Sequence, residues 1–486
     1  MADLSRHLAA ALAGCAVLVT SAALAAPPDD ARALSLADAV ARAVDNDAAL
    51  RQTRVRSAAA ARQVDAVEAQ YGPTLDVEGK ILLWDDATEL TVVEPGALDL
   101  SAIPPPFDAA LAGLAATVSE PIALRDQLTG QVDVTVVQPL TDLYTVSQGA
   151  DLARAGQGAA EVRTSLRRRA VVYGVTEAYL NLVAARELVE VAEESVRVIA
   201  AHVADAERVA EAGLLSDAEV LAARAELARA QSRRVAGEAK ADLLASLLAR
   251  RVSPDAPERG LAPSHHHVGP VQAPPLTLAE ARAHAADNRP ELALLDRAID
   301  AERARAKLAA WRRIPQVAAV ARYTHNEGVA LNPEDSFFVG ATLSWRAFDW
   351  GKREAEIDAA ELAVDALIAK RQAAVDDLRL AAEQRWLALS AARAEADALE
   401  ASVDAAREGL RAAQAAFAVG ESSSTAVLDA ELRLDAARAS LVRARAQGQI
   451  TMAALRLALG DPYEPTVSDA ELAFTGRPAT TAEPTP

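Results

Sequence analysis

The sequence predicts a mainly α-helical chain with a small β part, built from two copies of a long helical hairpin. Three observations carry this. The stretch from Trp350 to Leu459 contains no proline and is dense in Ala, Leu, Glu and Arg, all strong helix formers. Its second part repeats every seven residues: Val427, Leu434, Leu441, Gly448 and Leu455, with Ala430, Ala437, Ala444 and Thr451 three positions later. That is a heptad seam of one large and one small position, which lets two helices approach closely. Finally, the chain repeats itself, so what holds for one half is expected of the other.

The repeat is read from short matches. Leu34-Ser35-Leu36-Ala37-Asp38-Ala39 matches Leu276-Thr277-Leu278-Ala279-Glu280-Ala281, and Pro73 matches Pro315, at an offset of 242. Both openings are capping boxes. Further on, Asp142 matches Asp349, Gly213 matches Gly420 and Leu227 matches Leu434, at an offset of 207. The first half therefore carries an insertion, placed at about Glu89 to Arg125.

The elements follow in the same order in each half. The first repeat, 26–250, is expected to hold a helix over 36–70, strands near 74–84 and 130–138, a long helix near 147–211 and a returning helix over 216–250. The second, 278–460, holds a helix over 278–312, strands near 315–325 and 336–346, a long helix over 350–418 and a returning helix over 425–459. At about 1.5 Å per residue each long helix spans roughly 100 Å, so it needs partners along its whole length. A proline- and glycine-rich linker, 251–277, joins the repeats, and a Pro/Thr-rich tail, 461–486, follows them.

The N-terminus reads as a signal peptide, 1–25: Arg6 and His7, an apolar run from Leu8 to Leu18, then Ala23-Leu24-Ala25. The chain's one cysteine, Cys15, lies inside it. Cleavage after Ala25 leaves a mature chain with no thiol, hence no disulfide and no cysteine chemistry. Leu12-Ala13-Gly14-Cys15 also fits a lipobox, in which Cys15 would carry a lipid anchor.

Composition narrows the function. Of 486 residues 51% are hydrophobic but only 3% aromatic, which suits thin, alanine-packed helices. A net charge of −19 argues against nucleic acid as a partner. The alternating stretches point elsewhere. Val132-Asp133-Val134-Thr135-Val136 and Val339-Gly340-Ala341-Thr342-Leu343 have period two and read as strands, and aromatics gather around them. Their length suits tilted strands across a bilayer, with the rings at its interfaces; soluble hairpins are the alternative. Four strands cannot close a membrane barrel, whose smallest members have about eight. An open edge cannot face lipid. Spanning strands would thus require several chains to share one barrel, with the insertion, including Pro104-Pro105-Pro106, as an external loop.

With these features in place the chain resembles the TolC-like outer membrane efflux proteins over about 34–460. The resemblance rests on the duplicated plan and the Leu276-Thr277-Leu278-Ala279-Glu280-Ala281 entry. It also rests on the Leu343-Ser344-Trp345…Phe348-Asp349-Trp350-Gly351 strand exit and the Gly420…Val427-Leu428-Asp429-Ala430 turn. The first half departs from it, since Gln138-Pro139-Leu140-Thr141-Asp142 lacks the aromatic and the glycine.

The resemblance implies a homotrimer whose duplicated coiled-coil hairpins form a periplasmic α-barrel. Four strands per chain would contribute to a 12-stranded transmembrane β-barrel in outer-membrane lipid. It implies an exit duct for efflux or type I secretion, docked to a periplasmic adaptor protein and an inner-membrane pump, with no enzymatic chemistry and no cofactor. By alignment it places a gate acid at Asp429, with Ala426 at the family's second acidic position and Glu219 at the comparable place in the first half. A capping box of Ser216 with Glu219 explains that glutamate equally well. The adaptor-facing tips would be Gly213-Leu214-Leu215-Ser216 and Gly420-Glu421-Ser422-Ser423. His265-His266-His267 sits in the linker without a spaced carboxylate or thiol partner, and no metal site is assigned to it. The competing class is a secreted or periplasmic coiled-coil scaffold without a pore.

Overall fold

The computed structural model describes residues 34–91, 103–118, 121–213, 215–253, 262–287 and 289–460. The signal peptide, Cys15, Leu214 and the tail from 461 lie outside them.

The first repeat opens with α1 (Leu36–Asn46) and α2 (Ala48–Glu68). One helix over 36–70 was expected; the chain instead breaks at Asp47. Its carboxylate accepts the Leu50 N–H at 2.6 Å and caps α2. The corresponding break in the second repeat separates α6 (Leu278–Asp287) from α7 (Pro290–Trp311). Pro290 occupies the first turn of α7, where its missing N–H costs nothing but where it cannot continue α6.

Next come β1 (Thr74–Leu83), β2 (Thr88–Leu90) and β3 (Ile122–Pro139), and in the second repeat β4 (Gln316–Val329) and β5 (Asp335–Ser344). The inner strands are longer than expected: β3 starts at Ile122 rather than 130, and β4 runs to Val329 rather than 325. Arg125 and Asp126 interrupt the alternation and hide the first part of β3. The insertion is likewise more than a loop, since it holds β2 and a helix, α3 (Phe107–Val118). The order is β1-β3-β4-β5, antiparallel throughout, with β2 on the outer part of β3. The two repeats join at the centre, where Val134 lies opposite Tyr323. Among the described residues β1 and β5 are left as free edges.

Two helical hairpins follow: α4 (Leu143–Glu211) with α5 (Asp217–Val252), and α8 (Lys352–Ala418) with α9 (Ser424–Leu459). At 69 residues, α4 is about 100 Å long. The seam expected of α9 is present. Val427, Ala430 and Leu434 pack on Val403 and Leu410, with Ala437 and Leu441 beside them. Helix α8 answers with its own heptad of buried residues, Val375, Ala382, Leu389, Ala396, Val403 and Leu410. Gly448 departs from the plain coiled coil. The side chain of Val271, from the linker, fills the space a Cβ there would need.

The main core lies where α1 crosses the first hairpin. Leu36, Ala39, Val40 and Ala43 pack on Val175, Tyr179, Leu182 and Val183 of α4 and on Leu248 and Val252 of α5. The Tyr179 hydroxyl donates to the Leu34 carbonyl at 3.1 Å and lies 2.9 Å from His265 Nδ1. His265 is thus tied to the core. The expectation that the histidine run has no carboxylate partner is corrected by the fold, since Glu187 and Glu190 of α4 lie 3.7 and 3.8 Å from His267 Nδ1. Among the described residues no group of three or more His, Cys, Asp or Glu is arranged to hold a metal.

Candidate functional site

At the tip of the first hairpin Gly213 takes φ 78°, a left-handed conformation that ends α4. Ser216 then caps α5: its hydroxyl accepts the Glu219 N–H at 3.4 Å, and the Glu219 carboxylate accepts the Ser216 N–H at 3.2 Å and hydroxyl at 2.8 Å. At the second tip Gly420 has φ 76°, and the Glu421 N–H reaches back to the Ala416 carbonyl at 2.9 Å. Ser423 caps α9 by accepting the Ala426 N–H at 3.3 Å. Gly213, Ser216, Gly420, Glu421 and Ser423 are exposed, and Leu215 and Ser422 are half-buried.

The two candidate gate acids are not equivalent. Glu219 spends its carboxylate on the capping box. Asp429 is exposed while Val427, Leu428 and Ala430 around it are buried, and among the described residues it has no ion-pair partner. It projects from the rigid first turns of α9 as a free negative charge.

The structure adds groups near the tips that sequence reasoning missed. His202 of α4 is 7% exposed, with Nε2 2.7 Å from the Ser424 hydroxyl at the start of α9. Its ring packs on Phe417 at 5.1 Å between centroids. Burial holds its pKa below the ordinary histidine value, against the opposing pull of Asp205. Toward the middle of the hairpins, Leu428 packs on Ile199, Val203, Ala223 and Ala230, so α9 seats directly on the first hairpin. Three residues on, Glu431 is 1% exposed, and neither carboxylate oxygen has a hydrogen-bond partner among the described residues. Burial, and then the neighbouring Asp435, push its pKa up to about 7. A cavity of about 520 Å³ opens beside Asp435, lined by Ser195, Arg233, Gly237, Lys240 and Arg443. Ser195 and Asp435 face each other at its edge. In sequence, Glu431 occupies a flank of the heptad, where a charge ordinarily faces water; only the third helix, α4, makes it internal.

The sheet has two chemically distinct faces. Across its rows, Val77–Val134–Tyr323–Phe337 and Leu75–Val136–Ala321–Val339 lie on one side, and Glu78–Asp133–Thr324–Ser336 and Asp76–Thr135–Arg322–Phe338 on the other. On the second face Asp133 accepts from Thr324 at 2.6 Å and from Gln131 at 2.7 Å, and Arg322 donates to Thr135 at 3.1 Å. The first face is not covered: Leu75, Val77, Phe337, Val339 and Leu343 are 66–70% exposed. A sheet with one apolar face ordinarily buries it against helices. Rings stand at both ends. Trp84 lies under the Arg125 guanidinium at 3.9 Å, Tyr144 stacks on Trp311 at 4.0 Å, and Trp345, Phe348 and Trp350 are exposed beyond β5. Among the described residues no helix is long and apolar enough to cross a membrane.

Residues 282–461 match the outer membrane efflux protein family. No curated protein matches the chain by sequence. Solved structures share its fold, three of them as follows. CusC, whose structures concern transmembrane channel formation, aligns with TM-score 0.70 and 16% identity over 87% of this chain and 92% of its own. The outer membrane protein VceC of Vibrio cholerae aligns with TM-score 0.68 and 17% identity over 88% of this chain and 97% of its own. The MtrE outer membrane channel of Neisseria gonorrhoeae aligns with TM-score 0.66 and 17% identity over 87% and 88%.

Proposed function

We propose, from a second repeat that matches the outer membrane efflux family and a fold shared with outer membrane channels, that this chain is one subunit of an outer-membrane exit duct. The observation that carries the reading is the sheet formed by the four long strands β1, β3, β4 and β5, apolar on an uncovered face, polar on the other and open at both edges. In lipid the apolar face needs no further cover, and the polar face lines a water-filled lumen. The free edges, β1 and β5, are ten residues each and must be paired. A second and a third copy satisfy them, and three four-stranded sheets close a 12-stranded barrel. The helical hairpins then extend into the periplasm as a tunnel, so that cargo crosses both compartments without a chemical step.

The tips Gly213–Ser216 and Gly420–Ser423 face a periplasmic adaptor and, through it, an inner-membrane pump. Three copies of Asp429 narrow the tunnel as an acidic ring that favours cations. Ala426 stands one turn earlier and Glu219 is engaged in its cap, so the ring is formed by Asp429. The test is fractionation followed by planar-bilayer recording. A membrane-embedded oligomer with cation-preferring conductance supports the duct. A soluble, non-conducting chain in the periplasm supports the scaffold instead.

A further inference from the structure

The seam between α9 and the first hairpin contains an acid that no role described above uses. Glu431 is buried with both oxygens unpartnered, in the turn after Leu428, the residue that anchors α9 on α4 and α5. Each neighbouring element presents different chemistry to it. Helix α4 contributes Glu194, with Ser195 beside it turned to Asp435, and α9 itself contributes Asp435 and Arg438. Helix α5 contributes Arg233 beside Asp435, already bound to the buried Glu226 at 3.0 Å. Helix α8 meets this part of α9 through Val403 and Leu410. The nearest basic groups are thus shared or committed, while two other carboxylates stand close by. A carboxylate in such a place is costly as an anion.

Toward the tip, the same seam is joined by His202 and Ser424. Around His202 stand Asp205 on its own helix, the Phe417 ring of α8 and Ser424 of α9. That imidazole is buried neutral.

We propose that Glu431 is a proton-binding site of the seam. Neutral, it lets α9 close on the first hairpin; ionised, it loosens that contact; His202 opposes it, since gaining a proton there loosens the same seam. The inference rests on reading the tips as a gate, because loosening the seam frees α9, which carries Asp429.

The signs follow from linkage. A carboxyl held at about 7 instead of the ordinary 4.5 favours the closed seam fully below pH 4.5, and the advantage is lost as pH rises to 7. Over that window closure weakens about tenfold per pH unit. His202, lowered from 6.5, contributes closure above 6.5 that is lost as pH falls through its lowered value. In the intact protein the two slopes offset each other, and single variants separate them.

The experiment compares intact protein with Glu431→Gln and His202→Gln, reconstituted in lipid, at pH 5.5 and 7.5. Urea unfolding is followed by far-ultraviolet circular dichroism, alongside planar-bilayer conductance. The gain of E431Q in the folding equilibrium is expected to be about 20-fold larger at pH 7.5 than at pH 5.5. H202Q is expected to close more tightly on acidification, and E431Q to open. If E431Q fails to assemble, Glu431→Leu gives the same comparison. Equal gains at both pH values, or a loss at both, overturn the proposal, because Glu431 would then be a satisfied anion. The unfolding arm does not involve conduction. A pH-dependent gain without any conductance therefore removes the gate reading and leaves the proton site standing.

Discussion

Replacing Val339 by Arg separates a membrane-facing sheet from a soluble one. Val339 lies near the middle of β5, opposite Ala321, and is 70% exposed. In water, an exposed substitution of this kind changes stability by within about 0.5 kcal/mol. On the lipid face of a barrel near the bilayer midplane, the same arginine costs about 2–4 kcal/mol, roughly a 30- to 1,000-fold loss in the folded population. Thr342→Arg is the internal control. It is on the same strand, equally open, but on the lumen side, where an arginine stays hydrated. Both variants are refolded into lipid vesicles and unfolded in denaturant, and the midpoints are compared at constant slope. V339R is expected to fall well below wild type and T342R to stay near it. Equal midpoints for the two, or a V339R cost under about 0.5 kcal/mol, would refute the assignment of the faces.

Other outcomes follow from the same structure. Asp429→Ala removes the exposed acid that follows the second tip; leak conductance in planar bilayers is expected to rise and cation preference to fall. Gly448→Ala forces a Cβ against Val271, and overpacking of this kind costs about 1–3 kcal/mol in thermal or denaturant unfolding; V271A should restore most of it. Asp47→Ala removes the cap of α2 and the Arg167 pair, at about 0.5–2 kcal/mol. Burial pushes the Asp47 pKa up, but the Arg167 guanidinium and the Leu50 and Ala49 N–H groups outweigh it and hold it below 3.8. Its contribution is therefore present above pH 3.8 and lost as pH falls through the lowered value, so wild type and D47A should converge in acid.

The parts of the fold legible in the sequence are those fixed by local pattern. The α9 heptad, the Ser35 cap, the capping boxes at Ser216 and Thr277, and the glycine turns at 213 and 420 each act within a few residues. The breaks at Asp47 and Pro290 lie inside a helical pattern that runs on either side of them, although the Asp45-Asn46 and Asp287-Asn288 pairs, an aspartate cap and a first-turn proline are ordinary boundary signals. The long β3 was cut short because Arg125 and Asp126 sit where the ladder shifts register between Arg125 and Gly130. Features made by three elements meeting were out of reach. Nothing near Gly448 signals that Val271 crosses it, and nothing near Glu431 signals that α4 will close over it. At the candidate site, Asp429 comes from the family resemblance, and its role in a gate is a proposal. The engagement of His202 with Ser424 joins residues 222 apart in sequence.

The central claim is that one chain supplies a third of a barrel and that its free β1 and β5 edges are paired by other copies. Native mass measurement of the detergent-purified protein tests it most directly. The account predicts a complex of three chains, locked by a cysteine pair placed at the β1 edge of one copy and the β5 edge of the next. A single chain with both edges open to solvent would contradict it.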